Sequence, residues 1–249
     1  MKLACTSSAF DLRLKSGDLT QLEWLDLCAR ELAADGIVCD ARHFPRRDSD
    51  YLAQVKKMAV DLGLCIAAVS DEDFFAGGED AMRDALAIAE ALAAPILTAP
   101  LALDTAVSWS EELERIGTAT SLAKTMNVTL AVRNRPKTFA GTSQDLKRVS
   151  KEADSAWLRY ALEYARFDAG SEPAPLLPKT VLLWHTRSAN EIESDESAQH
   201  ARMLEDAQSF LGFLVLDAAG SGDVARMHGS VRRWRTILAE DVLAKSIGG

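Results

Sequence analysis

The chain has 249 residues, 48% hydrophobic and 26% charged, enough for one large closed α/β domain or two small ones. A formal net charge of -9 argues against a binder of duplex nucleic acid, whose affinity rests on cationic contacts to phosphate. The start, MKLACTSSAF, meets Asp11 and Arg13 before an apolar region develops, and the uncharged run Ala91 to Leu103 is too short for a membrane span, so a soluble, cytoplasmic protein is expected.

Short β-like runs alternate with longer amphipathic ones from the N-terminus onward. A first strand over Lys2 to Thr6 precedes LTQLEWLDLCARELAAD, where Leu19, Leu22, Leu25 and Cys28 recur at helical spacing above a polar face. Strands follow at Gly36 to Asp40, Leu64 to Ser70 and Pro95 to Ala99. Ser108 and Glu111 have the spacing of a capping box, which starts a helix running through Lys124. Strands at Val128 to Arg133, Ala156 to Leu162, Thr180 to His185 and Phe213 to Asp217 complete a set of eight. Gly36, Gly63 and Gly212 each stand between a helical run and a strand, where a left-handed helix terminus favours glycine.

The unit recurs every 25 to 33 residues or roughly so, which predicts a single-domain (β/α)8 TIM barrel over residues 1–249 with its site at the C-terminal ends of the strands. A doubly wound open sheet is the competing architecture, but the first turn, CTSSAFD, lacks the GxGxxG signature. Cys5, Cys28, Cys39 and Cys65 show no CxxC spacing and read as reduced core thiols.

Strand ends supply the candidates for chemistry. His185 closes the apolar run VLLWH and Asp217 closes the next strand, so the pair could tune an imidazole for proton transfer; the competing readings are a histidine satisfied by a backbone carbonyl and an aspartate capping a loop. Asp40 ends the second strand, and with His185 and Asp217 makes the minimum of three ligands for a weak metal site. Asp71 and Glu72 in DEDFF fit a solvated loop better than a catalytic acid. Cations gather at the same end: Arg42, Arg46 and Arg47, then Arg133, Arg135 and Lys137, then Arg159 and Arg187, with Asn134 between two of them. Such a rim suits a phosphate or carboxylate, which arginine grips with two parallel hydrogen bonds, although some of these cations will pair with local Asp and Glu. Gly220 and Gly222 in DAAGSGDVARM offer either a phosphate-binding turn or a plain turn capped by Asp223. Arg232, Arg233 and Arg235 around Trp234 read as an aromatic anchor with solvated charges, and Trp24 and Trp109 as helix faces packed on the barrel or on a second subunit of a homo-oligomer.

The strings GIVCDARHFPRRDSDYLAQVKKMAVDLGLCIAAVS (36–70), IAEALAAPIL (88–97), NVTLAVRNRPKTF (127–139), VLLWHT (181–186) and GFLVLDAAG (212–220) resemble, in order and spacing, the xylose isomerase-like barrels of the sugar phosphate isomerase/epimerase and endonuclease IV superfamily. The resemblance implies a divalent metal held by a glutamate after the fifth strand, an aspartate after the sixth, a histidine after the seventh and an acid after the eighth. His185 and Asp217 match the last two. Arg133 stands at the first position, and the sixth strand, WLRYAL, offers Arg159 and Ala161 but no carboxylate. A guanidinium repels a hard cation, so no metal cofactor is expected and the site is read as degenerate.

The resemblance implies an isomerase or epimerase acting on a sugar, sugar phosphate or sugar acid by proton transfer, with His185, Asp217 and Asp40 catalytic and Arg133, Asn134, Arg135, Arg159, Arg187 and Arg42 binding the substrate. The alternative is a non-catalytic barrel that keeps only an anionic sugar pocket. A nuclease conflicts with the acidity of the chain and the missing ligands, so neither nucleic acid nor membrane is an expected partner.

Overall fold

Eight parallel strands hydrogen-bond in sequence order and the last returns to the first, closing a barrel: β1 (Lys2–Thr6), β2 (Gly36–Asp40), β3 (Cys65–Ser70), β4 (Ile96–Pro100), β5 (Thr129–Arg133), β6 (Leu158–Glu163), β7 (Thr180–Thr186) and β8 (Phe213–Asp217). The computed structural model describes residues 1–167, 171–186 and 201–247, the last seven as helical backbone only. Outside the strands lie α1 (Asp11–Ser16), α2 (Gln21–Arg30), α3 (Ser49–Asp61), α4 (Gly78–Ala91), α5 (Trp109–Thr125), α6 (Ser143–Ala153) and a C-terminal helix (Val224–Ile247); residues 201–206 are helical as well. Among the described residues no helix is long and apolar enough to cross a membrane.

The helix starts are written in the sequence. Ser108 accepts from the Glu111 amide while Glu111 reaches back to the Ser108 amide at 2.7 Å, and Thr20 with Glu23 and Thr142 with Asp145 repeat this reciprocal cap. Gly63 has the left-handed φ of 73° expected of a helix terminus. Gly36 does not: it is the first residue of β2, and a Cβ there would stand 2.7 Å from both the Cys65 carbonyl oxygen and the Phe213 ring, so close approach between strands requires the glycine. The left-handed residue before β2 is Ala33.

Burial divides the apolar residues into two bodies. One lies between the strands and the helices and includes Trp24, Leu25, Val55, Leu86, Ile116, Leu146 and Trp234. The other fills the lumen with Ala4, Val38, Ala67, Ala68, Ala131, Ala161, Leu182, Trp184 and Val215. Alanines on β1, β3, β5 and β6 leave room for one indole, Trp184, 1% exposed near the top of the lumen. Trp24 is wholly inside the chain's own core and presents no face to a second subunit. Cys5, Cys28 and Cys39 are buried free thiols, whereas Cys65, at the start of β3, is exposed. Trp234 anchors the C-terminal helix, and Arg235 beside it donates to the Ala33 carbonyl and to Asp35.

The lumen residues fix which side chains reach the site, because alternate residues of a strand face the same way. With Ala4, Val38, Ala68, Ala131, Ala161, Trp184 and Val215 inward, the last inward positions are Thr6, Asp40, Ser70, Arg133, Glu163, Thr186 and Asp217. Two register shifts, at Ile37/Val38 against β3 and at Tyr160/Ala161 against β7, set this parity where simple counting does not.

Candidate active site

A cavity of about 360 Å³ opens at the C-terminal ends of the strands, between Ser8, Asp11 and Arg42 on one side and Arg133, Glu163, Trp184 and Asp217 on the other. Four arginines and four carboxylates line it. The mouth is therefore a field of paired charges, and which pairs are closed determines what it can bind.

On the β5 to β8 side, Arg133 ends β5 with 8% of its surface exposed, and its guanidinium carbon lies 4.7 Å from the centre of the Trp184 ring. Stacking on an indole suits a planar, weakly hydrated cation. Burial, and then the neighbouring Arg135, push Arg133 down to about 10 against the pull of Glu163, Asp217 and Asp40, so it keeps its charge at neutral pH. Its Nη2 donates to Glu72 Oε1, and Arg135 Nη2 donates to the other oxygen, Oε2, at 2.5 Å. One carboxylate, from the loop after β3, thus spans two arginines from β5 and its following loop.

Glu163 ends β6. Its Oε1 accepts from the Thr186 amide at 3.2 Å and from Arg166 Nε at 3.4 Å. Asn134 holds it from behind: the Asn134 amide donates to the Glu163 carbonyl at 2.9 Å and its oxygen accepts from the Glu163 N–H at 2.7 Å. Both ends of that side chain are thereby committed to backbone, so Asn134 aligns the strand ends instead of offering its amide to a ligand. Asp217 ends β8, with Oδ1 accepting from the Ala219 amide at 3.0 Å. Burial first, and the Glu163 charge second, push its carboxyl up to about 6, with Arg133 and backbone amides opposing. An acid placed there changes protonation close to neutral pH, the property of a group that takes and returns protons.

The β1 to β2 side is a closed network. Asp40, 1% exposed, faces inward but is clamped by Arg42: Nε to Oδ1 at 3.0 Å, Nη2 to Oδ2 at 2.7 Å, with the Arg42 amide on Oδ1 at 2.9 Å. Ser7 Oγ accepts from the Asp40 N–H and lies 2.8 Å from His43 Nδ1, while His43 Nε2 lies 2.8 Å from Asp11 Oδ1. Every group is satisfied when His43 donates from Nε2 to Asp11 and the Ser7 hydroxyl donates to Nδ1. Burial works to raise the Asp11 carboxyl, but hydrogen bonds from Lys15 and His43 outweigh it and hold the carboxyl low. Ser7 is fully buried, so this serine, histidine and aspartate brace the barrel end and do not attack a ligand.

Several expected site residues stand elsewhere. His185 points out of the barrel, because Trp184 and Thr186 take the inward positions of β7; its ring packs edge-on to Trp234 with centroids 5.5 Å apart. Arg159 lies near the start of β6, toward the opposite end of the barrel, and donates to the Leu158 carbonyl. Arg46 pairs with Asp48 and Arg47 with the Ala41 carbonyl. Arg187 lies outside the described residues. Gly222 N–H is bonded to the Ala9 carbonyl and Asp223 caps the C-terminal helix, so that end of DAAGSGD is a turn, while Asp217, Ala219 and Gly220 line the cavity. Conversely, β6 does carry a carboxylate at its tip, since the strand runs one residue past Leu162 to Glu163. Glu72, Glu163 and Trp184 are the site residues that sequence reasoning passed over or discounted.

The donor set of the described residues does not suit a divalent cation. Among the described residues no three of His, Cys, Asp and Glu converge as metal ligands, and Arg133 occupies the centre of the layer that holds Glu163 and Asp217.

No protein-family model matches this sequence, and no curated protein matches it either. Solved structures do match in fold. An L-ribulose 3-epimerase superposes with a TM-score of 0.78 at 13% identity, covering 100% of this chain and 98% of that one. The probable 3-DHS dehydratase AsbF of Bacillus anthracis gives 0.75 at 14% identity over 93% and 98%, and the 3-keto-D-glucoside 4-epimerase YcjR of E. coli gives 0.70 at 14% over 95% and 99%. What this chain shares with them is the fold, a closed (β/α)8 barrel; of these neighbours two are sugar epimerases and one is a probable dehydratase.

Proposed function

We propose that the barrel is a sugar-modifying enzyme of the isomerase or epimerase type that moves a proton at the carbon beside a carbonyl, with Asp217 as the acid and base and Arg133 as a fixed positive charge in place of a metal ion. The observation that carries this reading is the inward layer itself: Arg133, Glu163 and Asp217 at the ends of β5, β6 and β8 share one cavity floored by Trp184. Asp217 removes the proton, the electron pair moves onto the carbonyl oxygen, and the remaining N–H donors of Arg133 hold that oxyanion. For an isomerisation, the hydroxyl on the first carbon passes its proton to that oxyanion and becomes the new carbonyl, while Asp217 returns the carbon-bound proton to the former carbonyl carbon. For an epimerisation, Glu163 in its protonated form donates to the opposite face of the same carbon and becomes a carboxylate, while Asp217 keeps the proton it removed. The epimerases of the same fold support the choice of substrate class.

Incubation of the chelator-treated protein in D2O with ketoses, aldoses and uronates, followed by proton NMR, tests the proposal. Deuterium is expected to enter the carbon beside the carbonyl of at least one sugar, without added metal and not with Asp217→Asn. No exchange across the panel, or equal exchange by the variant, would overturn it. Exchange only after Mn²⁺ or Mg²⁺ is restored would overturn the role given to Arg133.

A further inference from the structure

Arg133 and Arg135 each donate to a different oxygen of Glu72, so the mouth already contains an assembled receptor for one carboxylate, and that receptor is filled by a residue of the chain itself. We infer that Glu72 is a built-in competitor: the ligand carries a carboxylate, as a sugar acid does, and enters by displacing Glu72 from the Arg133 and Arg135 pair. The inference rests on the proposed function for the identity of the cavity and adds the class of its substrate.

Three features support an exchangeable contact. Glu72 comes from the turn after β3, whose neighbour Asp71 is held by its amide to the Thr98 carbonyl, and the same turn runs on to Gly77 and Gly78, the latter at φ 77°. The anchoring of Asp71 allows the Glu72 side chain to leave without unwinding β3. Glu72 is also partly open to solvent, with 23% of its side chain exposed, whereas Arg133 beneath it is nearly buried. Finally, Arg133 gives Glu72 only Nη2, and a guanidinium has five N–H donors, so a ligand carboxylate can take the Glu72 place while another N–H of Arg133 faces the reacting oxygen.

A neutral sugar cannot replace Glu72 without leaving a nearly buried guanidinium short of its anion, a loss that a carboxylate avoids. The tethered Glu72 competes at the high effective concentration of an intramolecular group, so removing its charge strengthens carboxylate binding. The hydroxyl-bearing carbons of the ligand would then lie toward Glu163 and Asp217, which line the same cavity beside Arg133.

The test is calorimetric titration of the intact chain and of Glu72→Gln with D-glucuronate, D-gluconate and the uncharged D-glucose and D-fructose. Glu72→Gln keeps the shape and a hydrogen-bond acceptor for Arg133, and its melting temperature with and without glucuronate shows whether it is folded and whether the ligand replaces the lost charge. Expected are measurable binding of a sugar acid by the native chain, at least tenfold tighter binding by Glu72→Gln, and loss of both with Arg135→Gln. Unchanged or weaker sugar-acid binding by a folded Glu72→Gln, or a preference for the neutral sugars, would overturn the inference. The two readings fail separately: tight sugar-acid binding with no deuterium exchange removes the catalytic proposal alone, and exchange into a neutral ketose unaffected by Glu72→Gln removes this one alone.

Discussion

The two halves of the barrel mouth use the same residue types to opposite ends. Around β1 and β2, Asp40, Arg42, Ser7, His43 and Asp11 satisfy one another at 2.7 to 3.0 Å, and nothing in that network is left for a ligand except the outer edges of Asp11 and Arg42. Around β5 to β8, burial and the Glu163 charge raise the cost of ionising Asp217 and Arg133 is stripped of solvent, so the layer holds charge under tension. Closed polar networks add rigidity, and incompletely balanced ones are where binding and proton transfer find their free energy. On the proposed function, the first half is the frame and the second the reactive face.

Substitutions can break that division, and the largest effect is expected at Asp217. Asp217→Asn should lower turnover by about 10² or more, as loss of a general acid and base does. It should also raise the melting temperature at pH 7. A carboxyl shifted from 3.8 up to about 6 binds its proton more tightly in the folded state, so it lowers stability as pH rises from about 4 through 6, at a cost on the order of 3 kcal/mol above that range. A variant that loses both activity and melting temperature would place Asp217 in the frame instead. The same shift predicts that turnover of the native chain rises as pH increases through about 6, a limb that a pH profile of kcat/KM would show.

Next in size is Arg133→Lys, which keeps the charge but loses the planar stack on Trp184 and the fork toward Glu72. A loss of tenfold or more in ligand affinity is expected, read by calorimetry; an affinity within twofold would mean that charge alone matters there. On the framing side, Ser7→Ala leaves the Asp40 amide and His43 Nδ1 unmatched in a fully buried place and should cost roughly 1–3 kcal/mol in urea unfolding, without a comparable change in the affinity of the folded protein. The smallest effect on chemistry belongs to His185→Ala, expected to leave turnover within about twofold while loosening the C-terminal helix through lost contact with Trp234. A large drop in turnover would return His185 to the site.

The strands were legible because turn and helix signals bracket them, and the eight expected runs match the observed ones to within two residues at either end. Which way their side chains face was not. VLLWHT is apolar on consecutive positions, as a strand buried on both faces must be, so alternation gives no way to choose between Trp184 and His185 for the lumen. Register settles it, through pairing of Leu182, Trp184 and Thr186 with Phe213, Val215 and Asp217. Glu163 was missed by a single residue of strand length, and Arg159 was placed by residue type although it follows Leu158 directly, near the strand start. The Ser7, His43 and Asp11 network joins positions 32 and 36 apart, which no local pattern encodes.

Trp184 gives the protein an optical consequence. An indole whose emission depends on the local field sits directly beneath the guanidinium that the proposed ligand engages, 4.7 Å from it and almost sealed from water. Movement or neutralisation of Arg133 changes that field, and subtracting the spectrum of a Trp184→Phe protein isolates the response from the other four of the chain's five tryptophans. The floor of the cavity is thus also its own fluorescent indicator, able to time the arrival of a ligand without a label.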